Sequence, residues 1–169
     1  LAIGRLAAYK NFDLLVEAFN LIECKLIVVG AGKEFNKLKK MAGPNVKFVG
    51  RVSKNDKFEI IKNCQGLIFP VQDEDFGIVP VEAMALGKPV LAHKSGGAQE
   101  TVVENKTGMF FSELNVEALI SAIKDFESKI ERNQFNAEEI KQHAKKFDKE
   151  TFKLKLEDFI IKALENKDA

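Results

Sequence analysis

The 169 residues are enough for one domain with a sizeable core, and 46% hydrophobic with 30% charged residues is ordinary for a globular protein. This composition excludes a disordered or fibrous chain. Lys and Arg total 26 against 25 Asp and Glu, so a net charge of +1 provides no general basic field for nucleic acid, and any phosphate recognition must be local.

Short apolar runs alternate with segments of helical periodicity over the first 111 residues. Strands are predicted at 2–6, 25–30, 46–49, 67–69, 89–92 and 107–111. Helices are predicted at 12–22, at 34–41, from residue 53 onward, between Gly77 and Gly87, and in a short segment that ends at about residue 104. This alternation with short connections predicts an α/β fold: one doubly wound parallel sheet of about six strands.

From residue 115 the pattern is helical. Three apolar stripes are predicted, formed by Val116, Leu119, Ile120, Ile123 and Phe126, by Ile140, Ala144 and Phe147, and by Phe152, Leu156, Phe159, Ile160 and Ala163. Core and interdomain packing account for all three. Cys24 and Cys64 lie in or beside apolar segments without metal-ligand spacing, so we expect reduced core thiols and, by default, a cytosolic setting.

The segment EDFGIVPVEAMALG, residues 74–87, organises the chain. Gly77 frees the backbone before a helix, Pro80 suits the first helical turn, and Gly87 suits the position just past the helix end. The helix N-terminus would open at the carboxyl ends of the parallel strands, where ligands bind in open α/β sheets. Its unpaired N–H groups and partial positive charge favour an anion.

Two carboxylates bracket this segment, because Glu74 precedes the helix and Glu82 is predicted in its first turn. Ionised carboxylates only accept hydrogen bonds, so vicinal diols are natural partners in a ligand. An anion site flanked by two carboxylates suits a phosphate attached to sugars. The alternative is that both Glu residues only complement the helix dipole.

Two other loops carry candidate residues at the same sheet edge. Arg5 and Lys10 straddle the loop after the first strand, although the sequence alone favours solvated surface charges there, as it does for Lys57. Glycines follow the second and fifth strands, at Gly30, Gly32, Gly96 and Gly97. Gly30-Ala31-Gly32 is best interpreted as a tight turn and not as a dinucleotide fingerprint, because Phe35 occupies the third glycine position. Gly96 and Gly97 allow the backbone to approach a ligand, or only form a flexible turn.

Three motifs occur in the order typical of a known family. Residues 74–90, EDFGIVPVEAMALGKPV, resemble the Glu-x7-Glu signature of retaining GT-B glycosyltransferases of family four. Gly4-Arg5-Leu6 with Lys10, and Ser95-Gly96-Gly97 with Glu100, resemble its other signatures. The resemblance covers residues 2–111 and is greatest to bacterial mannosyltransferases of surface-polysaccharide assembly. Asp75 stands where many members have Gly.

The resemblance implies a role for each candidate. Residues 1–112 would form a nucleotide-sugar-binding core and 113–169 helices that complete the same domain. Arg5 and Lys10 would grip the diphosphate without a metal, Glu74 would hold hydroxyls of the transferred sugar, and Glu82 the ribose diol. The remaining donor contacts are expected through the backbone at Phe76, Gly77, Ile78, Gly30, Gly32, Val52, Gly96 and Gly97.

The expected function is therefore the donor-binding half of a glycosyltransferase that transfers a hexose, for example mannose from GDP-mannose, to a glycan or lipid-linked acceptor. The resemblance implies an N-terminal acceptor half outside this sequence, so the isolated chain is expected to be inactive. Contact of the Lys-rich helices with the inner face of a membrane is a further interpretation, since many members of the family act on lipid-linked acceptors. A non-catalytic sugar-nucleotide or phosphate-binding module is the main alternative, and an epimerase or phosphorylase sharing the fold is a third.

Overall fold

The computed structural model describes residues 1–165 and contains six parallel strands. Their bounds are β1 Ala2–Ile3, β2 Leu26–Val29, β3 Val46–Gly50, β4 Leu67–Phe69, β5 Val90–His93 and β6 Gly108–Phe111. The strands are short and mostly apolar, and most of their residues are buried because helices cover both faces of a parallel sheet, although β3 contains the exposed Lys47. The predicted six strands and α/β class are confirmed, although β1 is shorter than predicted.

The strands form two three-stranded sheets, ordered β1-β2-β3 and β4-β5-β6. The sheets are joined at Leu1, whose amino group donates to the Gly66 carbonyl at 3.1 Å and whose carbonyl accepts from the Ile68 N–H at 2.8 Å. Strands β2 and β3 therefore lie on one side of the β1–β4 junction, and β5 and β6 lie on the other side. The junction between β1 and β4 is the point where the strand order reverses, which is where ligands bind in doubly wound folds.

Eight α-helices connect or follow these strands in the described part of the chain. They are α1 Phe12–Asn20, α2 Phe35–Met41, α3 Lys54–Lys62, α4 Ile78–Ala85, α5 Ala98–Thr101, α6 Val116–Glu131, α7 Ala137–Ala144 and α8 Lys149–Glu165. The Ser53 hydroxyl caps α3 by accepting from the Asp56 N–H. Gly87 follows α4 with φ of 74°, a left-handed conformation that glycine adopts without strain.

The C-terminal helices differ in how they pack. Leu119, Ile123 and Phe126 of α6 join the core cluster around α1, and Ile140 and Ala144 of α7 join the cluster around α4. The first two predicted stripes thus lie largely in the core.

The third stripe lies on α8 and is solvent-exposed, with Phe152 64% and Phe159 69% exposed. Leu154 and Ile161 on other faces of α8 are exposed as well. No helix in residues 1–165 combines the length and apolar character required to cross a bilayer. The prediction that residues 113–169 complete the domain stays a prediction, and its positions 166–169 lie outside the described residues.

Candidate functional site

The loops after β1 and β4 are held together at the strand-order reversal. Asn11 ends a 3-10 turn, Ala8–Lys10, in the left-handed conformation with φ of 54°. Its side-chain amide donates to the carbonyl of Pro70, just after β4, at 2.9 Å. The sequence prediction did not identify this residue, and the only signal is that Asn tolerates the left-handed region better than most residues.

Lys10 and Glu74 form an ion pair across this junction. The Lys10 Nζ atom lies 2.6 Å from Glu74 Oε2, and the two side chains are 13% and 31% exposed. Residues predicted to bind a diphosphate and a sugar are therefore in direct contact, 64 positions apart in sequence. The Lys10 ammonium group is therefore held beside Glu74, in the loop before α4.

Arg5 lies on the same loop as Lys10 but is exposed. Its Nη2 atom donates to the Tyr9 hydroxyl at 2.9 Å, a contact that raises the pKa of the guanidinium above its ordinary value. Tyr9 also places its ring centroid 5.5 Å from Lys10 Nζ. Tyr9 thus contacts both predicted diphosphate-binding cations, a role that the sequence prediction missed.

A second ion pair joins α3 to α4. Lys57 Nζ donates to both carboxylate oxygens of Glu82, at 2.5 and 2.7 Å, and the side chains are 23% and 21% exposed. The prediction that Lys57 is a solvated lysine was therefore wrong, because a carboxylate 25 residues away lies within reach. Glu82 is the fifth residue of α4, in its second turn and not its first as predicted.

A cleft of about 300 Å³ opens at the carboxyl ends of β1, β2 and β3. It is lined by Ile3, Gly4, Arg5, Val29, Gly30, Ala31, Arg51, Val52 and Lys57. Of the predicted site residues, Arg5, Gly30 and Val52 contribute to this wall. Arg51 adds a second cation beside Arg5, whereas Lys57 lines the wall with its charge compensated by Glu82, so the two arginines give the cleft a positive lining suited to phosphate.

The glycines after β2 permit close contact between two backbones. A Cβ atom on Gly30 would overlap the Gly4 carbonyl oxygen, and one on Gly32 would overlap that of Leu6. Gly30 also adopts φ of 143°. Both positions require glycine because the loop after β2 packs against the loop after β1. Gly32 packs there without lining the cleft.

Gly96 and Gly97 serve a similar purpose after β5. The Gly97 N–H donates to the Glu74 carbonyl at 2.7 Å, and a Cβ on Gly97 would approach the Asp75 carbonyl oxygen and the Phe76 Cα to 2.5 Å. A Cβ on Gly96, which has φ of 51°, would overlap the Glu74 carbonyl oxygen. In this structure the two glycines closely approach the loop before α4, where the sequence predicted the approach to be to a ligand.

The N-terminus of α4 is formed by Gly77 with φ of 78°, without a side-chain cap. Ile78, the first helical residue, is 66% exposed, and Phe76 before it is 40% exposed with its ring packed edge-on against Phe147 at 5.8 Å. An exposed, uncapped helix N-terminus presents donor N–H groups to an anion.

The two histidines make structural contacts. The buried His93 bonds to the Ser95 hydroxyl through Nδ1 at 2.8 Å and to the Ser112 carbonyl through Nε2 at 3.1 Å. His143 Nε2 lies 2.8 Å from the Thr101 carbonyl. Within residues 1–165, no three His, Cys, Asp or Glu side chains are grouped as a metal ion would require.

Comparison with known proteins identifies the family. The model of "Glycosyl transferases group 1" matches residues 1–147. The chain belongs to this glycosyltransferase family. The match includes all the site residues described above and extends through α7.

Individual relatives agree with this assignment. An uncharacterized glycosyltransferase of Methanocaldococcus jannaschii is 29% identical over 151 residues, which cover 87% of this chain and 43% of the relative. A GDP-mannose-dependent alpha-(1-6)-phosphatidylinositol monomannoside mannosyltransferase of Mycobacterium tuberculosis is 33% identical over 142 residues, covering 73% of this chain and 36% of the relative. The chain thus spans less than half the length of these glycosyltransferases.

Among solved structures, Anabaena HepE in complex with UDP and glucose superimposes with a TM-score of 0.83 at 25% identity. The match covers 94% of this chain and 46% of HepE. The structural neighbours are GT-B glycosyltransferases, which confirms the predicted fold.

Proposed function

We propose that this chain is the donor-binding domain of a retaining glycosyltransferase and holds a nucleotide sugar between the cleft and the N-terminus of α4. The observation that carries the proposal is the pairing of Lys10 with Glu74 and of Lys57 with Glu82 at the strand-order reversal. A site for a phosphate alone needs only cations such as Lys10 and Lys57. A site for a phosphate linked to two sugars also needs hydrogen-bond acceptors for the sugar hydroxyls, which the carboxylates of Glu74 and Glu82 provide.

The cations and the helix N-terminus would act on the diphosphate. Arg5 presents a planar fork and Lys10 a point charge, and the N–H groups that begin at Ile78 add a fixed positive dipole. As the sugar–phosphate bond breaks, negative charge accumulates on the departing diphosphate. Preorganised donors in a sheltered site stabilise such charge by about 3 kcal/mol each.

The carboxylates would recognise the two sugars. Glu82 lies beside Lys57, which lines the cleft, and in the proposal it accepts from the ribose hydroxyls. Glu74 lies in the loop before α4 and would accept from hydroxyls of the transferred hexose. The order ribose, diphosphate, hexose then follows the line from the cleft past α4 to the loop of Glu74, and Phe76 and Gly77 would add backbone donors near the hexose.

The identity of the donor follows from analogy. The mycobacterial relative is named as GDP-mannose-dependent, whereas HepE is named with UDP and glucose. We propose a hexosyl donor, with GDP-mannose as the first to test and UDP-glucose as the second. A glycan or lipid-linked acceptor, a role in surface-polysaccharide assembly, inactivity of the isolated chain and a cytoplasmic site at the inner membrane face belong to the same proposal.

Calorimetric titration with GDP, UDP and ADP, each with and without magnesium, tests this function. One diphosphate should bind without magnesium, and the double variant Arg5→Ala with Lys10→Ala should lose at least about tenfold in affinity, since each lost charged hydrogen bond contributes about 1.5–3 kcal/mol. Glu74→Gln should selectively weaken the nucleotide sugar relative to its diphosphate. Equal effects of Glu74→Gln on both ligands would indicate a phosphate-binding module. No binding of any of the three by the folded chain would refute the proposal.

A further inference from the structure

Lys57 holds the carboxylate of Glu82 in one orientation. It lies in the first turn of α3, and its Nζ atom donates to both Glu82 oxygens. A contact to one oxygen would leave the carboxylate free to rotate about its last bond, whereas contacts to both restrict that rotation. Both side chains are mostly buried, so the pair is less screened than a surface ion pair.

The doubly held carboxylate still has accepting capacity. An ionised carboxylate offers about four acceptor positions on its two oxygens. Lys57 occupies one position on each oxygen, which leaves acceptor positions on both. Two oxygens in a fixed plane match the two hydroxyl donors of a vicinal diol.

Lys57 also compensates a charge that would oppose the proposed ligand. It lines the same cleft wall as Arg5 and Arg51. An uncompensated carboxylate beside this cleft would repel a diphosphate, and the ion pair removes most of that repulsion before the ligand arrives.

We propose that Lys57 is a positioning residue that fixes the Glu82 carboxylate so that it recognises the 2′,3′-diol of the donor ribose. The inference rests on the proposed function and extends it to a residue that determines the choice of ribonucleotide over deoxyribonucleotide. Lys57 acts through Glu82, and its removal should alter the discrimination between sugars in addition to overall affinity.

The test compares UDP with 2′-deoxy-UDP, and GDP with 2′-deoxy-GDP, by calorimetry on the 169-residue chain. The wild-type chain should prefer the ribonucleotide by about tenfold, since one hydrogen bond to a charged group is lost with the 2′-hydroxyl. Lys57→Met should reduce this preference to about threefold or less, and Lys57→Arg, which keeps the charge and two donors, should restore most of it.

Lys54→Met is a matched control. Lys54 is the first residue of α3, three positions before Lys57, and its Nζ atom is 5.7 Å from the Phe58 ring centroid, compared with 5.4 Å for Lys57. Unlike Lys57, it pairs with no carboxylate in the described part of the chain. Its removal should leave the ribose preference at the wild-type value.

Each outcome decides the inference. A wild-type ribose preference retained in Lys57→Met would overturn it while diphosphate binding and the proposed function stand. A ribose preference absent from the wild-type chain would overturn it together with the proposed ribose contact of Glu82, while diphosphate binding stands. No diphosphate binding by the wild-type chain would refute both. Should Lys57→Met not fold by its thermal transition, Lys57→Leu, which also lacks a donor, carries the same expectation and the same refutation.

Discussion

The Lys10–Glu74 ion pair makes diphosphate binding compete with an internal carboxylate. In the free domain Lys10 already donates to Glu74 at 2.6 Å. A diphosphate that recruits Lys10 must weaken or share this contact. Glu74→Gln keeps the shape of the side chain but removes its charge, so it should release Lys10 for the ligand. We therefore predict that this substitution in the site tightens the binding of free diphosphate.

The magnitude follows from the burial of the pair. A hydrogen bond to a charged group contributes about 1.5–3 kcal/mol when well shielded, and partial exposure reduces this to about 1 kcal/mol. Lys10 is 13% and Glu74 31% exposed, which places the pair between the buried and surface cases. A gain of about 1 kcal/mol corresponds to roughly fivefold tighter binding of UDP or GDP.

Calorimetry on Glu74→Gln and on Asp75→Asn separates the local effect from a general one. Asp75 is the next residue of the same loop and is exposed, so its substitution removes one negative charge without releasing Lys10. Only Glu74→Gln should tighten diphosphate binding by the predicted amount, and only it should weaken a nucleotide sugar relative to its diphosphate. Equal gains in both variants, or weaker diphosphate binding in Glu74→Gln, would refute the reasoning.

Three further predictions concern packing and ionisation. Gly97→Ala should destabilise the fold by about 1–3 kcal/mol, because its Cβ would meet the Phe76 backbone at 2.5 Å, and an unchanged thermal midpoint would contradict this. Asn11→Gly keeps the left-handed conformation and loses only the hydrogen bond to the carbonyl after β4. The free energy of unfolding, measured by chemical denaturation, should therefore fall by about 1 kcal/mol in Asn11→Gly and by more in Asn11→Ala. Equal losses in the two variants would contradict the conformational argument. Burial, followed by the Glu127 carboxylate, raises the pKa of Cys24 to about 11. Glu127→Gln should lower this pKa, increase the thiolate fraction and so accelerate alkylation of Cys24 at pH 8. An unchanged rate would contradict the contribution of Glu127.

The raised pKa of Cys24 also sets the sign of a pH effect on stability. Below the ordinary thiol pKa, both the folded and unfolded chains hold the proton, so the contribution of this group is fully present. As pH rises from about 9 toward 11, the unfolded chain ionises first and the folded state loses that contribution. The free energy of unfolding should fall over this range, and a Cys24→Ala variant should lack this component of the fall.

The elements could be predicted from the sequence where the signal is local. Helix α4 has Gly77 before it, Pro80 in its first turn and Gly87 after it, and each residue fixes one feature of the helix by its own backbone chemistry. The six strands follow from short apolar runs bounded by turn residues. The positions of Glu74 and Lys10 at one sheet edge follow from topology, because parallel strands bring their carboxyl ends together.

The partners within the site could not be predicted, since they depend on contacts between distant segments. Lys57 resembles any solvated lysine until α3 and α4 are packed side by side. Gly96 and Gly97 match a ligand-binding loop in sequence, and only the folded chain shows that they pack against the backbone before α4. For Asn11, a single residue in the left-handed region leaves almost no periodic signal.

A second cavity offers a competing location for a ligand. It has a volume of about 290 Å³ and lies at the amino ends of the strands, with Cys24, Cys64 and Gly66 among its lining residues. Its lining includes Phe19, Ile123 and Phe126 and is mostly apolar, which does not suit a diphosphate. The two cavities lie at opposite edges of the sheet, so a ligand at one is distinguishable from a ligand at the other.

Amide chemical-shift mapping during titration with UDP and with GDP tests the central claim most directly. The better-binding diphosphate should shift the amides of Gly4, Val52 and Ile78 at the carboxyl edge and leave the amides of Cys24 and Gly66 unchanged. Shifts confined to the Cys24 and Gly66 edge, or no shifts from either diphosphate in a well-dispersed spectrum, would contradict a donor site at the strand-order reversal.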